Sequence, residues 1–553
     1  MPHVITRSCC GDGSCVYACP VNCIHPSPDE PGFATAEMLH IDPAACVDCA
    51  ACVSACPVGA IVADNALLPE QRAFAAVNAA FYPERAPGSR LPPATTLAAV
   101  PPAPRVRRSK APLTVAVVGS GPAGMYAADE LLTQRGVRVN VFDRLPTPYG
   151  LVRGGVAPDH QDTRGITRLF DRISRTRGFR FYLNVEVGRH VSHDELLAHH
   201  HAVLYAAGAS RGRPLEIPGS ALPGCATAMQ AVAWINGHPD LTDVPVALDH
   251  ERVVVVGNGN VALDVARLLT ADPEALARTD ISTTALDVLG GSAVREVVVA
   301  ARRGPAQSAF TLPQLIGLTA TADVVIGAED RASAVDELTR APDRHTAMKL
   351  EILAALPAAE DLSAAGATRA RVRLAYHLTP RRILGDERVR AVEFQRAGDG
   401  RVCVLQTGLV LAAVGQRAGE LPGLPFDAAA AVVPNRDGRV IDPATGRPVA
   451  GVYVAGWIKR GPSGFIGTNK SCAMQTVNAL VDDFNTGVLR DPVSAPAAWD
   501  GLVRSRQPDL VDDEGWRAVD AAERARGQAL GRPRVKFASR RDLLAVAGRR
   551  GVG

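Results

Sequence analysis

Cys46, Cys49, Cys52 and Cys56, followed directly by Pro57, are spaced C-x2-C-x2-C-x3-C-P. Thiolates are soft metal ligands. At this spacing three of them wrap one iron–sulfur cubane and the fourth is thrown across to a second cluster. Upstream, Cys15-x3-Cys19-Pro20 supplies a partner half. On that logic Cys46, Cys49, Cys52 and Cys19 hold one 4Fe–4S cluster. The other cluster receives Cys56, Cys15 and a third ligand from Cys9 or Cys10. Structural zinc is the competing chemistry, but zinc knuckles rarely carry this four-cysteine run with its closing proline.

Two glycine-rich turns carry a second kind of chemistry. Gly119-Ser-Gly121-Pro-Ala123-Gly124 follows the apolar run Val115–Val118 and opens a helical stretch. Asp143 closes the next apolar run, 19 residues after Gly124. This is the context of a dinucleotide site: glycines let the backbone approach a pyrophosphate, the helix N-terminus attracts it, and the carboxylate accepts from a ribose hydroxyl. The second turn is Gly257-Asn258-Gly259-Asn260-Val261-Ala262, after Val253–Val256. Its second strand ends in Arg302-Arg303 rather than in an acid, which suits the 2′-phosphate of NADP over NAD.

Several stretches carry family resemblances. The Cys46–Pro57 run is that of bacterial ferredoxins. The upstream half, Cys9-Cys10-x4-Cys15-x3-Cys19, lacks regular spacing and resembles seven-iron ferredoxins, whose irregular site holds a 3Fe–4S cluster on three cysteines. The second cluster is therefore read as 3Fe–4S or 4Fe–4S. Cys9 is taken as its ligand with Cys10 as the alternative, and Cys23 resembles the additional bystander cysteine of such sites. Leu145–His160 and Trp457–Asn469 resemble the adrenodoxin-reductase-like branch of ferredoxin–NADP reductases. That resemblance implies FAD on the first turn, with contacts at Ala123, Asp143, Leu151, Val187, Trp457, Gly464, Phe465 and Ile466. It implies NADP(H) on the second, with Asn258 to Val261 along the pyrophosphate, Arg213, Arg302 and Arg303 on phosphate, and Gly464 also at the nicotinamide. Gln314 is kept among the cofactor-binding positions.

One departure stands out. After Phe310-Thr311 the family carries an E-L-R-E-like run, and it pairs such a glutamate with the histidine equivalent to His160. This chain reads Leu312-Pro-Gln314-Leu-Ile-Gly317. His160 is carried as the catalytic candidate without that partner acid, and a structural histidine is the alternative.

These residues need elements to position them. The two strand–turn–helix–strand patterns predict α/β architecture: two nested Rossmann-like dinucleotide-binding domains, preceded by a small α+β bacterial ferredoxin-like domain. The expected division is 1–65 for the iron–sulfur domain and 66–112 for a Pro/Arg-rich linker. The first part of the FAD domain takes 113–211 and the NADP domain 212–422. The second part of the FAD domain takes 423–553, with a helical tail. Helices are expected over Met125–Gln134 and Leu263–Leu269, and strands over Val137–Phe142 and Val297–Ala301. Cys225, Cys403 and Cys472 are isolated and read as buried apolar residues.

Composition bounds the function. The 553 residues suggest about three domains. Hydrophobic residues make 47% and the net charge is +3, which excludes a disordered chain and argues against a nucleic-acid binder. No apolar run reaches membrane-span length and no basic-then-apolar leader opens the chain, so a cytoplasmic protein is expected. In that compartment clustered cysteines favour metal over disulfides. The reading is a ferredoxin–NADP reductase carrying its own ferredoxin. NADPH supplies electrons in pairs, iron–sulfur clusters accept them singly, and a flavin mediates. The final acceptor is an external protein such as a cytochrome monooxygenase or another ferredoxin-dependent enzyme. The alternatives are an electron-input subunit, similar to the small subunit of glutamate synthase, and a redox sensor.

Overall fold

A computed structural model describes residues 1–83, 97–100, 102–107, 112–209, 211–241, 246–359 and 370–548. Residues 84–96, 101 and 108–111 of the Pro/Arg-rich linker lie outside these residues.

The first apolar run, Thr114–Val118, is the middle of the five parallel strands of a seven-stranded sheet. Parallel neighbours on one side are Arg138–Asp143 and Phe179–Leu183, and on the other Ala202–Tyr205 and Pro448–Val454. An antiparallel edge, Arg439–Ile441 and Asn435–Arg436, completes it. All five residues of Thr114–Val118 are buried, as expected of a strand covered on both faces. The second run, Arg252–Val256, lies in an all-parallel six-stranded sheet. Its order is Cys225–Thr227, Leu409–Ala412, Arg252–Val256, Glu296–Ala300, Arg371–Ala375 and Asp323–Ile326. A three-stranded antiparallel sheet, Leu378–Leu384, Ala391–Arg396 and Val402–Gln406, hangs on it. The six-stranded domain is thus inserted between strands of the seven-stranded one.

The helices begin earlier than the apolar pattern suggests, at Pro122–Leu132 and Asn260–Thr270. Each starts directly after the second glycine of its turn, because a glycine cap and, in the first case, Pro122 favour helix entry there.

The N-terminal domain pairs His3–Ile5 with Ile61–Ala63 and Ile24–His25 with His40–Ile41, around the short helices Ser14–Ala18 and Ala51–Ala55. It is larger than expected. The helix Ala73–Ala80 buries Phe74 and Val77 in the same core. Buried Asn78 donates to the carbonyl of Ile5 and accepts from the N–H groups of Ile5 and Ile41, tying both hairpins together. The Tyr82 hydroxyl donates to the carbonyls of Cys23 and His40. The boundary therefore falls after Tyr82, not at 65: an alanine-rich helix carries too weak a pattern to be told from a linker.

The end of the linker is pinned rather than solvated. Val106 N–H donates to Gln134 and Arg107 N–H to Asn485. The C-terminal tail forms the helices Pro496–Arg506, Asp513–Gln528 and Arg540–Ala547. Buried Glu523 accepts from Arg153 at 2.5 Å and from Arg534 at 3.1 Å, so the tail clamps the segment leading to His160. Among the described residues no helix is long and apolar enough to cross a membrane.

Candidate functional site

The three glycines of the first turn do three different jobs. Gly119 has φ of 106°, and a Cβ there would meet the Ala206 carbonyl. Around Gly121 a Cβ would meet nothing, so the backbone faces open space. At Gly124 a Cβ would overlap the Gly119 carbonyl oxygen, so helix and strand could not close. The second turn repeats this. Gly257 has φ of 111° and sits under the Ala413 carbonyl, Gly259 is open, and Ala262 is fully buried. Tight turn, open approach and close packing are what a pyrophosphate cradle requires.

Around Gly121 the fold gathers several predicted residues. Gly150, just before Leu151, approaches the Gly121 Cα, and Gly456, just before Trp457, lies against the Cβ of buried Ala123. Half-buried Val187 and Trp457 pack on one hydrophobic cluster beside Val118. Asp143 accepts from Ser120 N–H at 2.9 Å and from its hydroxyl at 2.6 Å, which anchors the carboxylate at the mouth of the turn. Gly464, Phe465 and Ile466 are half-buried and lead into the helix Thr468–Asn485, whose cap is Gly467.

At the second turn Asn260 accepts from Thr311 N–H at 2.8 Å and Asn258 from Ala309 N–H at 3.5 Å. These bonds drape the 302–311 segment across the glycines, with half-buried Val261 beneath. Arg302 and Arg303 leave the strand Glu296–Ala300 exposed, with no ion-pair partner among the described residues. Arg213 is also exposed, its backbone N–H held by the Gly415 carbonyl at 3.0 Å.

Gln314 departs from expectation. Its amide donates to Asp264 Oδ1 at 3.3 Å rather than turning to the glycines. Asp264 also stands 3.1 Å from His160 Nε2, so the acid beside His160 comes from the helix Asn260–Thr270 and not from the segment after Phe310. Buried Arg267, one turn along, donates to Asp159 and Asp264, and its Nη2 lies 2.7 Å from His160 Nε2. Arg7 Nη2 reaches the same nitrogen at 2.5 Å. Burial drives the Asp264 carboxyl up, but His160 and Arg267 outweigh it and hold the group below the usual carboxylate range. Sequence reading missed Asp159, Asp264, Arg267 and Arg7. The i, i+3 spacing of Asp264 and Arg267 after the glycine turn was the available signal.

The cysteines fall into two groups. Cys19, Cys46, Cys49 and Cys52 line one cavity, joined by Cys23. The Cys19 sulfur accepts from Cys23 and from backbone N–H groups, which brings its thiol down to about 5, toward the thiolate a cluster needs. Cys15 neighbours Cys9 and Cys56, and its thiol is raised by burial and by their charge. Cys10 also lies near Cys9 and Cys56 and packs with Tyr126 in the core of the seven-stranded domain. Among the described residues no three His, Cys, Asp or Glu side chains close on a single ion. Sulfurs spread around a cavity suit a cluster, whose irons stand at separate corners. Cys225, Cys403 and Cys472 are half-buried rather than buried. Cys225 and Cys403 lie on the edge strands Cys225–Thr227 and Val402–Gln406, and Cys472 accepts from Gly456 N–H.

The cysteine domain is docked. The Cys10 carbonyl accepts from Gly467 N–H at 2.8 Å, Lys470 donates to Ser14, and Ser8 donates to Asp162. On the six-stranded side Lys349 pairs with Glu37 at 2.6 Å, and Leu312 and Ile316 enter the ferredoxin-like core.

Comparison with known proteins places this architecture. Residues 8–60 match the family described as 4Fe-4S dicluster domain, and residues 113–279 match Pyridine nucleotide-disulphide oxidoreductase. A "Probable ferredoxin/ferredoxin--NADP reductase" of Mycobacterium leprae is 63% identical over 547 residues, covering 99% of this chain and 98% of that protein. This chain belongs to the ferredoxin/ferredoxin–NADP reductase family. "NADPH-ferredoxin reductase FprA" of Mycobacterium tuberculosis is 39% identical over 464 residues, 79% of this chain and 99% of FprA. The solved structure of FprA in complex with NADPH superposes with a TM-score of 0.70 at 40% identity, over 79% of this chain and 99% of that one. Within the family, then, this chain joins an FprA-like reductase to an N-terminal dicluster domain.

Proposed function

We propose that the chain is an NADPH-dependent ferredoxin reductase that passes electrons to its own tethered ferredoxin domain and from there to an external acceptor protein. The observation that carries it is the bond from Gly467 N–H to the Cys10 carbonyl. It holds the irregular cysteine group directly against the segment Gly464–Ile466 at the first nucleotide site.

When bound, NADP(H) and FAD exchange a hydride and the clusters carry single electrons. The residues bind and orient these groups. The first turn, with Ala123, Asp143, Leu151, Val187 and Trp457, holds FAD. Gly257 to Val261 hold the NADP pyrophosphate, and Arg213, Arg302 and Arg303 take its 2′-phosphate. Gln314 and His160 line the junction between the two sites, with Asp264 fixing both. Cys19, Cys46, Cys49 and Cys52 hold a 4Fe–4S cluster. Cys9, Cys15 and Cys56 hold the second cluster, of 3Fe–4S or 4Fe–4S type, with Cys10 beside them. Cys49 is exposed, so the 4Fe–4S site is the one that reaches solvent.

Anaerobic titration with NADPH and separately NADH, followed by absorbance and EPR, tests this. NADPH is expected to bleach the flavin and raise a reduced-cluster signal, and NADH to do so poorly. A bleached flavin beside clusters that stay oxidised on long incubation would overturn the relay.

A further inference from the structure

Arg7 is the only lysine or arginine in the first 71 residues, amid an otherwise acidic domain. Its side chain leaves that domain and enters the reductase. There it meets His160; burial and the neighbouring Arg267 oppose its charge, and the carboxylates of Asp264 and Asp159 offset part of that. The guanidinium lies against Gly317, where a Cβ would come within 2.6 Å of both Cζ and Nε of Arg7.

Gly317 sits inside the helix Leu312–Thr321, and its backbone is not in the left-handed region. Nothing in the turn geometry requires glycine. A mid-helix glycine is less favourable than alanine. What the glycine supplies here is a notch, and Arg7 fills it.

A buried charged contact holds the docked pose, because removing one partner leaves the others desolvated and unpaired. It also fixes register, since any other pose would bury the guanidinium unpaired. The residues after Arg7 run on in the same register: Ser8 donates to Asp162 at 3.2 Å, and Cys10 accepts from Gly467 at 2.8 Å. Cys9 lies between them. Placing Arg7 therefore places the irregular cysteine group.

We infer that Arg7 is a positioning residue, a latch seated in the Gly317 notch that selects one docked pose of the ferredoxin domain and so sets the rate of electron passage to it. This rests on the relay reading above.

The test uses the full chain with its cofactors in three variants: Arg7→Ala, Gly317→Ala and both together. Rapid mixing with NADPH separates flavin bleaching from cluster reduction, read by freeze-quench EPR. Small-angle X-ray scattering reads docking without reference to electrons. Each single variant is expected to slow cluster reduction by about tenfold or more, and in Gly317→Ala, which keeps Arg7 and His160, flavin bleaching stays within about twofold, because loss of one oriented pose acts only on the second step. The double variant should be no slower than either single, since both remove one contact. Scattering should show an extended population in all three. Gly317→Ala improves helix propensity, so its loss cannot be put down to misfolding. Cluster reduction at wild-type speed, equal slowing of both steps in Gly317→Ala, or multiplying losses in the double variant would overturn the latch. If wild-type clusters stay oxidised in NADPH, the relay reading fails. Scattering then decides the latch by itself: compact variants overturn it and extended ones uphold it.

Discussion

Arg302 and Arg303 stand exposed and unpaired at the carboxyl end of a buried strand, beside a turn shaped for a pyrophosphate. Each guanidinium–phosphate contact is worth about 1.5–3 kcal/mol. Arg303→Ala is therefore expected to raise KM for NADPH by about tenfold or more and to leave NADH turnover unchanged. Steady-state kinetics with both nucleotides checks this, and an equal effect on the two would remove the phosphate role. These arginines were legible in the sequence because their meaning is local, set by position after a strand. The glycines were legible for the same reason. Arg7 was not, because its partners His160 and Gly317 are remote in sequence and only the docked fold brings them within reach. Asp264 was missed because the family's acid was sought after Phe310, while the fold supplies one from the preceding helix.

At the scale of elements, the buried parallel strands were legible because runs such as Val253–Val256 have few other uses. The tail was legible as helical but not in its role, because its helices act through single buried ions. Glu523 has no exposed surface, and its helix packs over Tyr149 through Trp516. Burial opposes its charge, but Arg153 and Arg534 prevail and hold its pKa below the ordinary value. That stability is present above the unfolded carboxyl pKa of about 4.3 and is lost as pH falls through the lower folded value. Glu523→Gln leaves buried Arg153 without its counter-ion and Arg534 with Asp520 alone, at a cost of about 3–5 kcal/mol. Denaturant unfolding at neutral pH should show that loss. In acid the gap between variant and wild type should narrow, and a gap that stays constant down to pH ~2 would show that the charge is not the cause.

For the whole molecule, the ferredoxin domain bridges the two nucleotide domains, and pH acts on that bridge. His40 is pulled down to about 3 by burial and by His345 across the interface. The docked form therefore binds fewer protons than the released form, and docking should weaken as pH drops below about 6.5, the free imidazole value. Scattering at pH ~8 and pH ~5 checks this. The bridge also fixes direction. The irregular cysteines face the reductase through Cys10 and Gly467, while Cys49 is exposed beside Val47, itself 57% exposed. Electrons should enter at the first group and leave from the second. Cys49→Ala removes one ligand of the outer group only. It should abolish the 4Fe–4S signal, leave NADPH-driven reduction of the inner cluster intact, and cut electron delivery to an added ferredoxin-dependent acceptor to a small fraction. The retained inner signal shows that the domain is still folded and docked. Undiminished delivery would mean that acceptors take electrons from the inner cluster or the flavin, and the outward path through Cys49 would be wrong. A fused ferredoxin with this polarity does more than raise local concentration. With the face at Gly467 occupied, the outer cysteine group is the expected route to a partner protein, which the Cys49→Ala delivery assay checks.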